Sequence, residues 1–203
     1  MSRTTKRILS TTACAAAIVL WSVGSSAAAN AMRTGGVTSQ PIGHHEFCKR
    51  LPDECRQKTS SDTPVELTRK LWARMIEINN AYNTAVAPMT DQEMWGRPEY
   101  WSYPGSRGDC EDYVLAKRRA LMQEGVPAGS LLITVVRQPN GDGHAVLTVR
   151  TDLGDFILDN LEPRILAWED TVYRYLKRQS NRYSGTWVRI KDGRDVVVGS
   201  VNN

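Results

Sequence analysis

Several things are scarce in this chain, and each shortage removes a class. There are three His and four Cys among 203 residues. No second ligand cluster matches the spacing of His44-His45-Glu46, so that tripeptide is read as part of a flexible lead-in rather than a metal site. No internal repeat is present, which excludes a solenoid or propeller. Charge of one sign is also lacking. Residues 1–31 carry three basic residues and no acidic one, so the remaining chain has a net charge of only +1. Nothing in that balance points to nucleic acid or an anionic surface. Long apolar runs are absent too, since the uncharged stretch from Thr12 to Val23 is too short for a comfortable membrane span.

What is present at the start reads as a secretory signal. Arg3, Lys6 and Arg7 form a basic region, the Thr12–Val23 stretch follows, and small residues end it. Ala29-Asn30-Ala31 fits an A-x-A cleavage site, with Ser26-Ala27-Ala28 as the second choice and an uncleaved anchor as the rival. Cys14 lies before the apolar run is complete, which argues against a lipoprotein signal. The expected organisation is a signal peptide over 1–31, a polar leader over 32–46, and one domain over 47–203, exported to a bacterial periplasm. A hydrophobic content of 41% and six Trp suffice for its core.

Export sharpens the cysteine count. Cys48 and Cys55 flank a short loop containing Pro52 and can pair in an oxidising compartment. Cys110 is then left over, in Gly108-Asp109-Cys110-Glu111-Asp112-Tyr113. A free cysteine is often just a small buried apolar residue. The acidic neighbours and Gly108 make an ordinary core position a poor description.

The pattern predicts helices first and strands afterwards. Thr63-Pro64-Val65-Glu66 reads as a capping box, followed by Leu67, Leu71, Met75, Ile78 and Tyr82 at helical steps, with Asn79, Asn80 and Asn83 ending that helix. Residues 86–106 read as a long ordered loop rich in Pro, Gly and aromatics. A second, apolar helix is expected from about Cys110 to Glu124, stopped by Gly125. Strands are expected over 131–137, 144–150 and 156–160, a helix over 166–179, and a terminal hairpin from 187–190 and 196–198. This order gives an α+β class, with Cys110 at the start of a central helix on an antiparallel sheet.

Three residues then form a chemical set. A helix N-terminus lowers a thiol's pKa, and Asp109 is the natural N-cap that puts Cys110 in the first turn. The carboxylates of Asp109, Glu111 and Asp112 oppose thiolate formation. An imidazolium would offset them, and His144 is the only His outside the leader. Asp159 could orient that ring. A hairpin centred on 152–155 would set Asp159 opposite Thr148, about 13 Å along the strand from His144 at roughly 3.3 Å per residue. Contact therefore needs a register centred nearer Thr151-Asp152, or a bulge. The three acids have two readings: a helix cap with dipole-favouring acids, or ligands of a divalent cation that reverses the local field.

Phe47-Cys48 with Pro52 and Cys55, the Asn79–Asn83 segment, Thr90-Asp91, Tyr100-Trp101, the motif around Cys110 with Lys117, Gly143-His144-Ala145-Val146-Leu147 and Leu158-Asp159-Asn160 recur together here. In these pieces the chain resembles the bacterial transglutaminase-like cysteine proteinases, although the stretch from Trp101 to Cys110 is shorter than that pattern. The resemblance implies a papain-like or transglutaminase-like fold and a catalytic Cys110–His144–Asp159 triad. It implies calcium held by Asp109 and Glu111, with Asp112 as a further candidate, and no organic cofactor. It implies a protein or peptide substrate such as a large surface adhesin, and an inner-membrane regulatory receptor as partner. The alternatives are a transglutaminase-type acyl transferase, or a non-catalytic periplasmic binding module that keeps the fold.

Overall fold

The computed structural model describes residues 30–193. Residues 1–29 of the signal peptide expected over 1–31, and the strand expected over 196–198, lie outside them. Strand β1 (Thr34–Thr38) comes first, then helix α1 (Ile42–Arg50) and the short α2 (Pro52–Cys55). Helix α3 (Arg69–Ala85), strand β2 (Ala87–Pro88), helix α4 (Asp91–Trp95) and strand β3 (Arg107–Gly108) lead to the central helix α5 (Cys110–Gln123). Strands β4 (Leu131–Arg137), β5 (Gly143–Thr151), β6 (Gly154–Leu158), β7 (Leu166–Ala167), β8 (Arg174–Gln179) and β9 (Trp187–Ile190) complete the chain.

The large sheet has seven strands in the order β1-β9-β8-β4-β5-β6-β7, with every pair antiparallel. Its central strand β4 reads Leu-Leu-Ile-Thr-Val-Val-Arg and is covered on both faces, which is why it shows no polar alternation. One face packs on α3 and α5 through Ile133, Ala145, Leu147, Val149, Leu158 and Leu115. The other carries a second cluster built from Val136, Val146, Ile157, Trp168, Tyr173 and Tyr175. Sandwiched this way, α5 is buried from Glu111 through Arg118. It ends where Gly125 takes φ +90°, a backbone conformation glycine adopts without strain.

Four expectations are corrected. The leader over 32–46 is ordered: β1 pairs with β9, and α1 buries His44 and Phe47. Polar composition does not reveal a strand whose partner is 150 residues away. The helix expected to start at Thr63 is α3, which begins at Arg69 with Thr68 as its cap, whose hydroxyl accepts from the Leu71 amide. Val65 is unavailable to it because its amide and carbonyl bond Arg150 and Asp152 as a strand edge. The asparagines do not end the helix, which runs on to Ala85. Asn79 and Asn83 donate sideways to the carbonyls of Pro163 and Asp159. Residues 166–179 form strands β7 and β8 around a short turn, and β9 pairs with β8 and β1.

Cys48 and Cys55 form a disulfide, with Cα atoms 5.6 Å apart. Asn30, inside the first-choice cleavage motif, is held in the fold. Its amide and side chain donate to Glu169, and its carbonyl accepts from the Trp168 indole at 2.8 Å.

Candidate active site

The hairpin register decides whether His144 can meet Asp159. Leu147 pairs with Leu158 and Thr151 with Gly154, which centres the turn on Asp152-Leu153. This is one residue tighter than a turn centred on 152–155, and one residue short of the Thr151-Asp152 centre expected for direct contact. Continued one step, it places Asp159 opposite Val146, two residues from His144 and on the same face. The side chains close the remaining gap, and His144 Nε2 lies 2.8 Å from Asp159 Oδ1. Both are almost wholly buried.

Asp159 is fixed from several sides. Its Oδ1 also accepts from the Leu161 amide, its Oδ2 accepts from the Tyr173 hydroxyl at 2.5 Å, and its carbonyl accepts from Asn83. Burial pushes its carboxyl up. The hydrogen bond and charge of His144, with the Leu161 and Tyr173 donors, outweigh burial and hold it below the ordinary carboxylate value. The Tyr173 ring lies 5.4 Å from the imidazole. Tyr173 was missed from sequence because its segment reads as a helix, and no local pattern ties it to Asp159.

Cys110 opens α5, and Gly108 makes that start possible. A Cβ at Gly108 would come within 2.9 Å of the Asp112 Cβ and 3.1 Å of the Pro104 Cβ. The Cys110 sulfur is approached by the backbone amide of Ala145, the residue next to His144. The thiol itself donates to Glu111 Oε2 at 2.9 Å. Burial, then the charge and hydrogen bond of Glu111, push the thiol well above its ordinary value. Among the described residues it is the one free cysteine.

The acids around it form a charge cluster. Asp109 occupies the N-cap position, yet its side chain makes no capping bond. The parallel bridge of Pro88 with Gly108 brings Asp91 against Asp109, and ligand oxygens of Asp91, Asp109 and Glu111 lie within 4.8 Å of one another. Buried Oδ1 atoms of Asp91 and Asp109 have no hydrogen-bond partner. Burial and the neighbouring charge raise Asp109 to about 6 and Glu111 to about 8. Three close carboxyls, two buried and that of Asp109 half-buried, suit a hard divalent cation with oxygen ligands. Asp91 was missed as a ligand because residues 86–106 read as one long loop; in the structure it opens α4 behind the Thr90–Glu93 capping box. Asp112 is not among these three: its Oδ1 accepts from the Ser102 amide at 2.7 Å, while its Oδ2 is buried without a partner and the Asp109 and Asp91 charges act on it.

A second cysteine–histidine proximity exists and has different chemistry. His44 Nδ1 lies 3.5 Å from the Cys48 sulfur, but that sulfur is tied to Cys55. The His44 ring accepts from the Trp187 indole, and burial, with the Arg118 and His45 charges, lowers its pKa to about 3. It is a neutral core group beside a disulfide, with no thiol to activate.

A cysteine at the start of a central helix, packed on an antiparallel sheet carrying a His–Asp pair, defines the papain-like and transglutaminase-like class. Within it, the chain belongs to the bacterial transglutaminase-like cysteine proteinase family, whose pattern matches residues 34–195. Calcium-bound LapG of Legionella pneumophila is similar in structure at 23% identity, covering 74% of this chain and 81% of that chain with a TM-score of 0.51. EGTA-treated LapG matches at 24% identity over 74% and 79%, with a TM-score of 0.50. These likenesses concern the fold. No curated protein matches the chain.

Proposed function

We propose that the protein is an exported cysteine peptidase in which Cys110 is the nucleophile, His144 the general base and acid, and Asp159 the residue that orients the imidazole. The observation that carries this reading is the buried 2.8 Å His144–Asp159 bond, with the neighbouring Ala145 amide against the Cys110 sulfur. His144 takes the thiol proton and the sulfur attacks the scissile carbonyl. Collapse of the tetrahedral adduct breaks the C–N bond, and the imidazolium protonates the leaving amine. The thioester is then cleaved by water that His144 deprotonates, which frees the acid and restores the thiol. Asp159 keeps the ring in one tautomer and stabilises its charged form. The unpaired amides of the first helical turn favour negative charge at this point.

Asp91, Asp109 and Glu111 would hold calcium. The cation supplies positive charge beside the thiol, so that these acids no longer oppose the thiolate. The LapG likeness, calcium-bound in one form, supports this reading. The bonds of Asn30 favour cleavage at Ser26-Ala27-Ala28, which leaves Asn30 in the mature, periplasmic chain. The substrate class is a protein, with a large surface adhesin as the proposed target and an inner-membrane receptor as regulator.

The test is genetic. Protein termini are compared between a bacterium carrying the gene and a deletion strain complemented with wild type or Cys110→Ala. A surface protein should be shortened only when Cys110 is present. Equal processing in the Cys110→Ala strain would overturn the reading.

A further inference from the structure

A groove of about 570 Å³ opens over β8 and β9, and its lining is strongly basic. Arg174, Lys177, Arg189 and Lys191 line it against one acid, Asp192. That acid is buried, and its Oδ2 accepts from the Tyr175 amide at 2.8 Å. Arg174, Arg189 and Lys191 are exposed, and Lys177 is half-buried with its ammonium donating to the Ser39 carbonyl at 2.9 Å. Arg189 stands directly opposite Lys177 across the β8–β9 ladder. A Cβ at Gly35 would lie 3.6 Å from both the Arg189 Cβ and the Lys191 Cε, which sets those two cations side by side. Like charges placed opposite one another on a sheet repel, and an anionic occupant would relieve that repulsion.

The strand register ties this groove to the nucleophile. Ala145 pairs with Val135, Val135 with Lys177, and Lys177 with Arg189. Directly paired residues share a face. Ala145, at one end of the row, and Trp187, two residues before Arg189 at the other, both belong to the core face under α5. The row therefore crosses β5, β4, β8 and β9 on that face, from the amide against the Cys110 sulfur to the two cations. At roughly 4.8 Å between neighbouring strands, Lys177 stands about 10 Å from Ala145 and Arg189 about 14 Å. Arg174 pairs with Arg137, which pairs in turn with Gly143, so the groove opens at the end of the sheet where His144 sits.

We propose that this groove docks an acidic segment of the protein substrate, with Lys177, Arg189 and Lys191 as the residues that select it. The inference rests on Cys110 as the nucleophile. An extended peptide advances about 3.3 Å per residue, so the selected carboxylates lie about three to five residues from the scissile bond. Their pairing with the guanidinium and ammonium groups offsets the repulsion between those groups. Residues 194–203, which follow the last residue of the groove, contain one basic and one acidic residue, Arg194 and Asp195, and so bring no net charge to it.

Epoxysuccinyl peptides, which alkylate an active-site thiol by ring opening, are the probes. Matched sets carry tetraglutamate or tetralysine on one side of the epoxide or the other. In millimolar calcium and low salt, a tetraglutamate probe should label Cys110 about tenfold faster than its tetralysine counterpart, and high salt should remove most of the difference. Lys177→Glu with Arg189→Glu should reverse the preference. Iodoacetamide, which carries no peptide, should label Cys110 of that variant at the wild-type rate. Lys177→Gln with Arg189→Gln serves the comparison if the reversed variant does not fold, and should abolish the preference. Equal rates for the two probes on the wild-type protein would overturn the proposal, as would a preference that survives these substitutions. Equal wild-type rates that separate only when the chain ends at Gly193 would give the groove to residues 194–203 instead. The underlying assignment is read separately: iodoacetamide labelling of wild type no faster than that of His144→Ala would sink the activated Cys110 itself.

Discussion

The Tyr173 hydroxyl donates to Asp159 Oδ2 at 2.5 Å, on the carboxylate oxygen that His144 does not use. The second cluster of the sheet thereby holds a group of the candidate active site. Burial, then the hydrogen bond to Asp159 and its charge, push the Tyr173 phenol up, so it stays a donor. Tyr173→Phe should lower stability by about 1–3 kcal/mol, the usual range for a lost buried bond to a charged group. Cys110 alkylation should slow several-fold while circular dichroism stays unchanged. An unaltered rate in the folded variant would confine Tyr173 to packing.

Much of the core was legible from sequence. Strand β4 and the extent of α5 follow from an apolar run and from Gly125, both local signals. The pairing of His144 with Asp159, each in a short distinctive context, was legible too, and the structure brings them to 2.8 Å. Tyr173, Asp91 and His44 were not legible in their structural roles. Each depends on a partner far along the chain: Asp159 for the first, the β2–β3 bridge for the second, and Trp187 for the third. The false helix start at Thr63 shows the same limit. A strong local cap lost to backbone bonds that Val65 makes with Arg150 and Asp152.

Stability of chelator-treated protein should fall as pH rises. Asp109, Asp112 and Glu111 are raised, chiefly by burial, to about 6, 7 and 8. A raised acid binds its proton more tightly in the native state. Its contribution is fully present below the unfolded value near pH 4 and is lost as pH climbs through the folded one. Thermal melts without divalent cations should therefore show a decline from about pH 5 to 8. Millimolar calcium should flatten or reverse it, since the ligands must be deprotonated to bind. A metal-free melting temperature that rises across this window would contradict the buried-acid description.

Asp91 and Asp112 should behave oppositely toward calcium. Asp91→Asn removes one of three facing carboxylates and should weaken calcium binding at least tenfold by calorimetry. Asp112→Asn should leave affinity within about threefold, because that carboxylate serves the Ser102 amide. The reverse pattern would return the ligand set to the sequence-based one.

The disulfide should make a measurable but modest contribution. Only seven positions separate its cysteines, so the loop-closure gain lies near the low end, about 2 kcal/mol. Reduction should lower the melting temperature by roughly 4–8 °C at this size. Thiol counting on denatured, unreduced mature protein should find one free sulfhydryl. Three would contradict the pairing.

The central claim is that His144 activates Cys110. The most direct measurement is the rate of iodoacetamide labelling at Cys110, mapped by mass spectrometry from pH 5 to 9 in millimolar calcium. Wild-type protein should label rapidly, with an inflection below that of a free thiol at about 8.5. His144→Ala should label at least tenfold more slowly at pH 7, with its inflection at or above the free-thiol value. Superimposable profiles for the two proteins would contradict the account.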